Sequence, residues 1–333
     1  MTYSTIAGLG FYVPENVVTN QDLTQYMETS DAWIRERTGI EQRRYFTYGK
    51  DTNASMATAA SRMAIDRAGL QPSDIQLIVY ATTTPDYYFP GSGFLMQREL
   101  GLEGVGVIDI RNQCSGFIYA LSIADQFIKT GMYKTVLVVG SEIQSTWLNK
   151  STEGRNVAVI FGDGAGAAVL QATDDPEHRL LSTHLHADGR YAEELYVREP
   201  GSSRPTRAAT KEMVDEGGFD VSMNGSAVLK HALTRFPEVI QEALQANGYQ
   251  PEDISLLIPH QANLRISENV RQQLNLPPER VFNNIQRYGN TTAASLPIAL
   301  TEAWEQGRIR SGDLICLAAF GSGFTWASAL IKY

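Results

Sequence analysis

The chain is one α/β unit written twice. Ala68-Gly69-Leu70-Gln71-Pro72-Ser73-Asp74-Ile75 returns 179 residues later (74 to 253) as Asn247-Gly248-Tyr249-Gln250-Pro251-Glu252-Asp253-Ile254. Each copy closes an amphipathic helical stretch and leads into an apolar run. Phe161-Gly162-Asp163-Gly164 is answered 159 residues on (161 to 320) by Phe320-Gly321-Ser322-Gly323, and turns around Cys114 and Asn290 lie 176 apart (114 to 290). The shrinking offset predicts a longer connection in the first half, around 141–156. Strand-length runs recur between the helices, at 77–80, 105–108, 136–139, 157–161, 256–258 and 314–318. That alternation predicts an α/β fold, and the repeat predicts two related halves, 1–172 and 173–333. Sites on such sheets form at the carboxyl ends of strands, so the two halves can aim their turns at one cleft.

Bulk properties narrow the function. At 333 residues the chain can hold two cores or one large composite domain, and 43% hydrophobic residues exclude disorder. A net charge of -9 argues against a nucleic-acid binder. An acidic protein partner would need a local basic patch, for which Arg265, Arg271, Lys230 and Arg235 are candidates. Apolar runs stay well short of the ~20 residues of a membrane span, so no membrane association is expected. The N-terminus shows no basic segment followed by an apolar run, and two cysteines make no disulfide framework. The expected compartment is cytoplasmic. Cys316, inside an apolar run, reads as a buried strand residue. The polar 198–218 segment, with Pro200, Gly201, Gly217 and Gly218, reads as a surface loop or lid.

Three polar residues carry the chemistry. Cys114 falls between a strand ending near Ile110 and the apolar helical stretch from Phe117. A helix N-terminus there would lower its pKa and supply N–H donors. His260 follows the strand 254–258, and Asn290 sits between turn-forming residues. A thiolate is a nucleophile, and an imidazole with an amide can hold a carbonyl oxygen as it gains charge, so the trio points to acyl transfer. His184 and His186 share a strand face but lack a third metal ligand, and read as hydrogen-bonded histidines. Gly162-Asp163-Gly164-Ala165-Gly166-Ala167 approximates a dinucleotide fingerprint, yet Ala168-Val169-Leu170-Gln171 reads as strand, so a tight turn between strands is expected. A papain-like protease also orders Cys, His and Asn, and His260 lies 146 residues past Cys114 (114 to 260), so spacing alone does not reject it. The nucleophile context, the duplication and the absence of secretory features do.

These motifs together resemble the β-ketoacyl-acyl-carrier-protein synthase III family of the thiolase superfamily, nearly end to end. The stretches are Pro259-His260-Gln261-Ala262-Asn263-Leu264-Arg265, Tyr288-Gly289-Asn290-Thr291-Thr292, Phe320-Gly321-Ser322-Gly323-Phe324-Thr325-Trp326, Phe161-Gly162-Asp163-Gly164 and Thr29-Ser30-Asp31-Ala32-Trp33-Ile34-Arg35-Glu36-Arg37. The resemblance implies a thiolase-like αβαβα sandwich of five layers, built from two duplicated βα halves. It implies a decarboxylative condensation of a short acyl-CoA primer, such as acetyl-CoA, with malonyl-acyl-carrier protein, initiating fatty acid biosynthesis through an acyl-Cys114 intermediate and needing no cofactor. Backbone N–H groups of Cys114 and Ser322 would form the first oxyanion hole, and His260 with Asn290 would stabilise the enolate. Trp33, Arg37, Arg155 and Asn263 would bind CoA. Gln261, Ala262, Asn263, Leu264 and Arg265 would dock the carrier protein. Phe89, reaching across a homodimer, and Phe161 would bound the acyl pocket. Asn112-Gln113 before the nucleophile, Ser322 and the polar 198–218 segment depart from the family pattern. They leave open a relative with a longer primer or different acceptor; a non-catalytic partner subunit would be expected to have lost a member of the trio.

Overall fold

The computed structural model describes residues 2–203 and 209–333, so 204–208 of the polar segment lie outside the described residues. The first half runs β1 (Tyr3–Tyr12), α1 (Asp31–Thr38), α2 (Asn53–Arg67), β2 (Leu77–Ala81), α3 (Ser92–Glu99), β3 (Gly106–Ile110), α4 (Gly116–Lys129), β4 (Thr135–Glu142) and β5 (Gly164–Thr173). The second runs β6 (Arg179–Ala187), α5 (Gly225–Ala246), β7 (Leu256–Pro259), α6 (Leu264–Gln273), α7 (Ser295–Glu305), β8 (Leu314–Gly321) and β9 (Thr325–Lys332). One sheet has the order β1-β5-β4-β2-β3, the other β6-β9-β8-β7. Val281 bridges to Leu257 in parallel where the first sheet carries its fifth strand. In the first sheet β4/β2 and β2/β3 are parallel, while β1/β5 and β5/β4 are antiparallel. In the second, β8/β7 is parallel, while β6/β9 and β9/β8 are antiparallel. The order is the same twice over.

Strand periodicity decides the layers. Successive side chains point to opposite faces, and here both faces are covered. Leu77, Val79 and Ala81 of β2 pack with α4 and α7, while Ile78 and Tyr80 pack with α2 and α3. On β8, Ile315, Leu317 and Ala319 face the same central helices, and Leu314, Cys316 and Ala318 face α5 and α6. The helices therefore form an outer, a central and a second outer layer around two sheets, which is the expected five-layered sandwich. Cys316 is the buried strand residue its context predicted. Helix α4 is apolar almost all round, the property that places a helix in the interior.

Two expectations need correction. The run 157–161 is not a strand: Arg155–Ala158 is a short helix, and Phe161 forms only an isolated bridge to Asn290. Ala158, Val159 and Phe161 pack in a cluster with Ile34, and a short apolar run does not reveal by periodicity which form it takes. The two turns are equivalent, but not residue for residue as the 176 offset implied. Gln113 (φ 45°) and Thr292 (φ 50°) both adopt the left-handed conformation. They are 179 apart (113 to 292), like the two Asp residues that anchor the repeat. Each opens a tight turn ahead of a central helix, so Cys114 is matched by Ala293. The longer first-half connection is present: 143–163 joins β4 to β5, against 322–324 between β8 and β9.

Candidate active site

Cys114 is the middle residue of the turn that starts α4, 5% exposed. Gly321 lets the end of β8 come against it, since a Cβ there would stand 2.6 Å from the Cβ of Cys114 and 3.2 Å from its sulfur. Burial pushes the thiol up to about 12, the nearby Glu142 adds to this, and the backbone N–H groups of Cys114 and Ser322 oppose it. The expected lowering at a helix N-terminus is thus outweighed by desolvation. The resting group is a thiol, and the same two N–H groups are placed to meet negative charge beside it.

His260 follows β7 directly and is 3% exposed. Its backbone N–H donates to the carbonyl of Ala318 (2.7 Å), and its Nδ1 lies 2.6 Å from Oγ of Ser295. Burial draws its pKa down to about 3, so the ring is neutral at neutral pH. Nε2 is buried without a partner among the described residues. A Ser295 hydroxyl that donates to Nδ1 puts the ring proton on Nε2 and makes it a donor. Asn290 is held by its own turn: its Oδ1 accepts from the N–H of Thr292 (2.8 Å), leaving the amide NH2 as the free end.

Two cavities share Cys114 in their walls. The larger, about 750 Å³, is lined by Gln113, Gln144, Thr292 and Ser322 among others. The smaller, about 400 Å³, is lined by His260, Asn290, Trp33, Arg37, Ala262 and Asn263 among others. Cys114, Phe161 and Leu195 line both. His260 and Asn290 line only the smaller cavity, and Gln113, Gln144 and Thr292 only the larger, so the two sides of Cys114 differ in chemistry.

The remaining predicted residues divide. The guanidinium groups of Arg37 and Arg155 lie 4.6 Å and 5.3 Å from the Trp33 ring centroid, an arrangement that attracts cation to π-face. Arg155 also donates to the carbonyl of Glu28 (2.6 Å). Asn263 caps α6 and donates to the carbonyl of Arg37 (3.0 Å). Leu264 packs beside Gly39, and Arg265 projects outward with a 60% exposed side chain. Gln261 belongs elsewhere: it is buried, donates to the carbonyls of Pro259 and Phe282 and accepts from the N–H groups of Asn284 and Ile285. It is a strut inside the fold, not part of a docking face, because every polar atom of its amide is engaged. Phe89 is 81% exposed and lines neither cavity of its own chain. Of the other basic candidates, Arg271 pairs with Glu268 and Arg235 with Glu238, while Lys230 is exposed. His184 and His186 both pair with Glu242. The glycine-rich turn runs straight into β5, antiparallel to both neighbours.

The sequence reading passed over Ser295 and Glu142. Glu142 ends β4, is wholly buried, and accepts from the N–H and hydroxyl of Thr83 (3.1 and 2.9 Å) and the hydroxyl of Thr84 (2.7 Å). Burial raises it to about 7. A carboxylate closing an otherwise apolar strand at its carboxyl end was the available signal.

Comparisons with known proteins identify the family to which this fold belongs. Residues 244–333 match the family 3-Oxoacyl-[acyl-carrier-protein (ACP)] synthase III C terminal, and 108–189 match 3-Oxoacyl-[acyl-carrier-protein (ACP)] synthase III. A beta-ketoacyl-[acyl-carrier-protein] synthase III from Methylococcus capsulatus is 44% identical over 331 residues, covering 99% of each chain. Another from Xanthomonas euvesicatoria is 46% identical over 334 residues, covering 99% of this chain and 98% of that one. The crystal structure of 3-oxoacyl-[acyl-carrier-protein] synthase III from Aquifex aeolicus has a TM-score of 0.91 at 43% identity, covering 99% of this chain and 100% of that one. The chain belongs to the β-ketoacyl-[acyl-carrier-protein] synthase III family and has its thiolase fold.

Proposed function

We propose that this protein catalyses the condensation of a short acyl-CoA primer with malonyl-acyl-carrier protein, releasing CO2 and starting fatty acid synthesis. The observation that carries it is the sharing of Cys114 by two cavities, with the unpaired donors of His260 and Asn290 on one side only. The Cys114 sulfur attacks the thioester carbon of the primer while the N–H groups of Cys114 and Ser322 hold the oxyanion. The bond to CoA sulfur breaks, and the thiol proton ends on the departing CoA. Malonyl thioester then occupies the smaller cavity. Loss of CO2 leaves its bonding pair as an enolate, whose oxygen takes hydrogen bonds from His260 Nε2 and the Asn290 amide. The enolate carbon attacks the acyl-cysteine, the C–S bond breaks, and the thiolate takes one proton from water. No step calls for a cofactor.

Trp33 stacks on the adenine of CoA, with Arg37 and Arg155 beside its phosphates and Asn263 at the tunnel wall. Arg265 and Lys230 face the acidic carrier protein, with Ala262, Asn263 and Leu264 shaping the approach. Phe89, with its exposed neighbours Tyr87 and Tyr88, fits a homodimer in which it closes the acyl cavity of the other protomer. Among the described residues no helix is long and apolar enough to cross a membrane. Two buried free cysteines suit the reducing cytoplasm.

Intact-mass spectrometry after incubation with acyl-CoAs tests the reading. One acyl group is expected on the wild type and none on Cys114→Ala. His260→Ala and Asn290→Ala are expected to load yet condense roughly 100- to 1000-fold more slowly, the usual loss of one oxyanion donor. No adduct from any acyl-CoA would overturn the enzyme reading, and normal condensation by His260→Ala would overturn the enolate role.

A further inference from the structure

The larger cavity is the part of the site whose chemistry the condensation does not dictate, and its wall near the nucleophile is polar. Gln144 is 6% exposed. Its Nε2 donates to Oγ1 of Thr83 (2.9 Å) and Oγ1 of Thr292 (3.0 Å), and lies 3.4 Å from Oε2 of Glu142. These contacts set which way the amide faces, because Oε2 of Glu142 already accepts from Thr83 and Thr84. The other end of the amide, Oε1, takes no hydrogen bond from the described residues and is not sealed away from the cavity that Gln144 lines. Oγ1 of Thr292, in the same wall, accepts from Gln144, and its own proton has no acceptor among the described residues. The side-chain amide of Gln113, next to Cys114, likewise has no partner there.

An acceptor and an unused hydroxyl donor side by side in the wall offer a bound group two hydrogen bonds, and a group that displaces water from them without making those bonds loses affinity. A methylene leaves both unsatisfied. A carboxylate offers only acceptors, which suits the Thr292 proton but repels Oε1 of Gln144 and the Glu142 behind it. A hydroxyl donates to the first and accepts from the second.

We infer that the preferred primer is a short hydroxyacyl-CoA, its hydroxyl bound between Gln144 and Thr292. This rests on the condensation reading above. The transfer itself is unchanged: the thioester bond to CoA breaks, the thioester to Cys114 forms, and the thiol proton leaves on CoA.

The test compares loading rates of the full chain with 3-hydroxybutyryl-CoA, butyryl-CoA and succinyl-CoA, followed by intact mass. The expected kcat/KM for the hydroxyacyl compound exceeds that for butyryl-CoA by about 10-fold or more, the scale of one buried hydrogen-bond pair. In Gln144→Met, which keeps the length and removes the acceptor, that ratio falls toward one. Equal or faster loading of butyryl-CoA by the wild type overturns the inference without any variant, as does a ratio unmoved by Gln144→Met. Fastest loading of succinyl-CoA overturns it in favour of charge selection by Arg111, which also lines this cavity. Failure to load any acyl-CoA overturns the condensation reading itself and is distinguishable from all of these.

Discussion

At the scale of single residues, the sulfur, the imidazole and the amide owe their chemistry to what surrounds them. His260 is neutral because it is buried, and it is oriented because Ser295 meets Nδ1. In the proposed mechanism Ser295 acts through His260, as a positioning residue. Ser295→Ala is expected to slow condensation by about 10-fold, a lost buried hydrogen bond's worth, while acyl loading stays near wild type; Ser295→Thr should recover most of the rate. Single-turnover measurements of the two half-reactions check this, and an equal loss in both would mark Ser295 as merely structural. With the imidazole depressed to about 3, His260 should contribute no ionisation near 6.5 to the pH profile of condensation, and any step near 7 should disappear in Glu142→Gln. Cys114 and His260 were legible because each stands where a strand hands over to a helix. Ser295 was not, since the contact spans 35 residues of sequence. Gln261 misled because a polar residue beside surface positions has no mark that says its amide is engaged inside.

At the scale of elements, the repeat is kept by close approaches between them. Gly140 in β4 faces the turn that opens α7, and a Cβ there would lie 2.4 Å from the carbonyl oxygen of Ala293. Gly140→Ala is expected to destabilise the protein by about 2–3 kcal/mol through overpacking against backbone that does not yield. Denaturant unfolding should show a lower midpoint at unchanged slope, and an unchanged midpoint would mean the turn moves freely. The same turn explains why the sequence offset of 176 fell three short. Asn290 is the chemically conspicuous residue of the second turn, whereas the backbone repeats at the left-handed Gln113 and Thr292. The run 157–161 was misassigned because its apolar residues supply no alternation to separate strand from helix.

At the scale of the molecule, two sheets and two central helices exclude water from groups that ordinarily keep it. Glu142 is raised to about 7 and Asp163 to about 6, each chiefly by burial. A raised carboxyl holds its proton in the folded state after the unfolded chain has lost it. The contribution of each to stability therefore falls as pH rises, from about 4.5 to 7 for Glu142 and from about 3.8 to 6 for Asp163. At 1.36 kcal/mol per unit, Glu142 alone removes about 3 kcal/mol across its window. His260, depressed, works oppositely, adding stability as pH rises from about 3 to 6.5. Glu142→Gln should gain on the wild type by about 3 kcal/mol between pH 4.5 and 8 in paired denaturant titrations. A difference constant with pH would refute it.

The sequence by itself determined the α/β alternation, the duplication and the five-layer packing implied by the family motifs, and it singled out Cys114, His260 and Asn290 as the candidate trio. These are carried by periodicity and short local signatures. Tertiary structure alone decided that Cys114 is matched by Ala293, that its thiol rests protonated, that Ser295 meets His260, and that two cavities share Cys114 in their walls. It also decided which end of the Gln144 amide is left facing the larger cavity. The reason is physical: desolvation and hydrogen-bond satisfaction depend on what the other half of the chain packs alongside a residue, and no stretch of neighbouring sequence contains that partner.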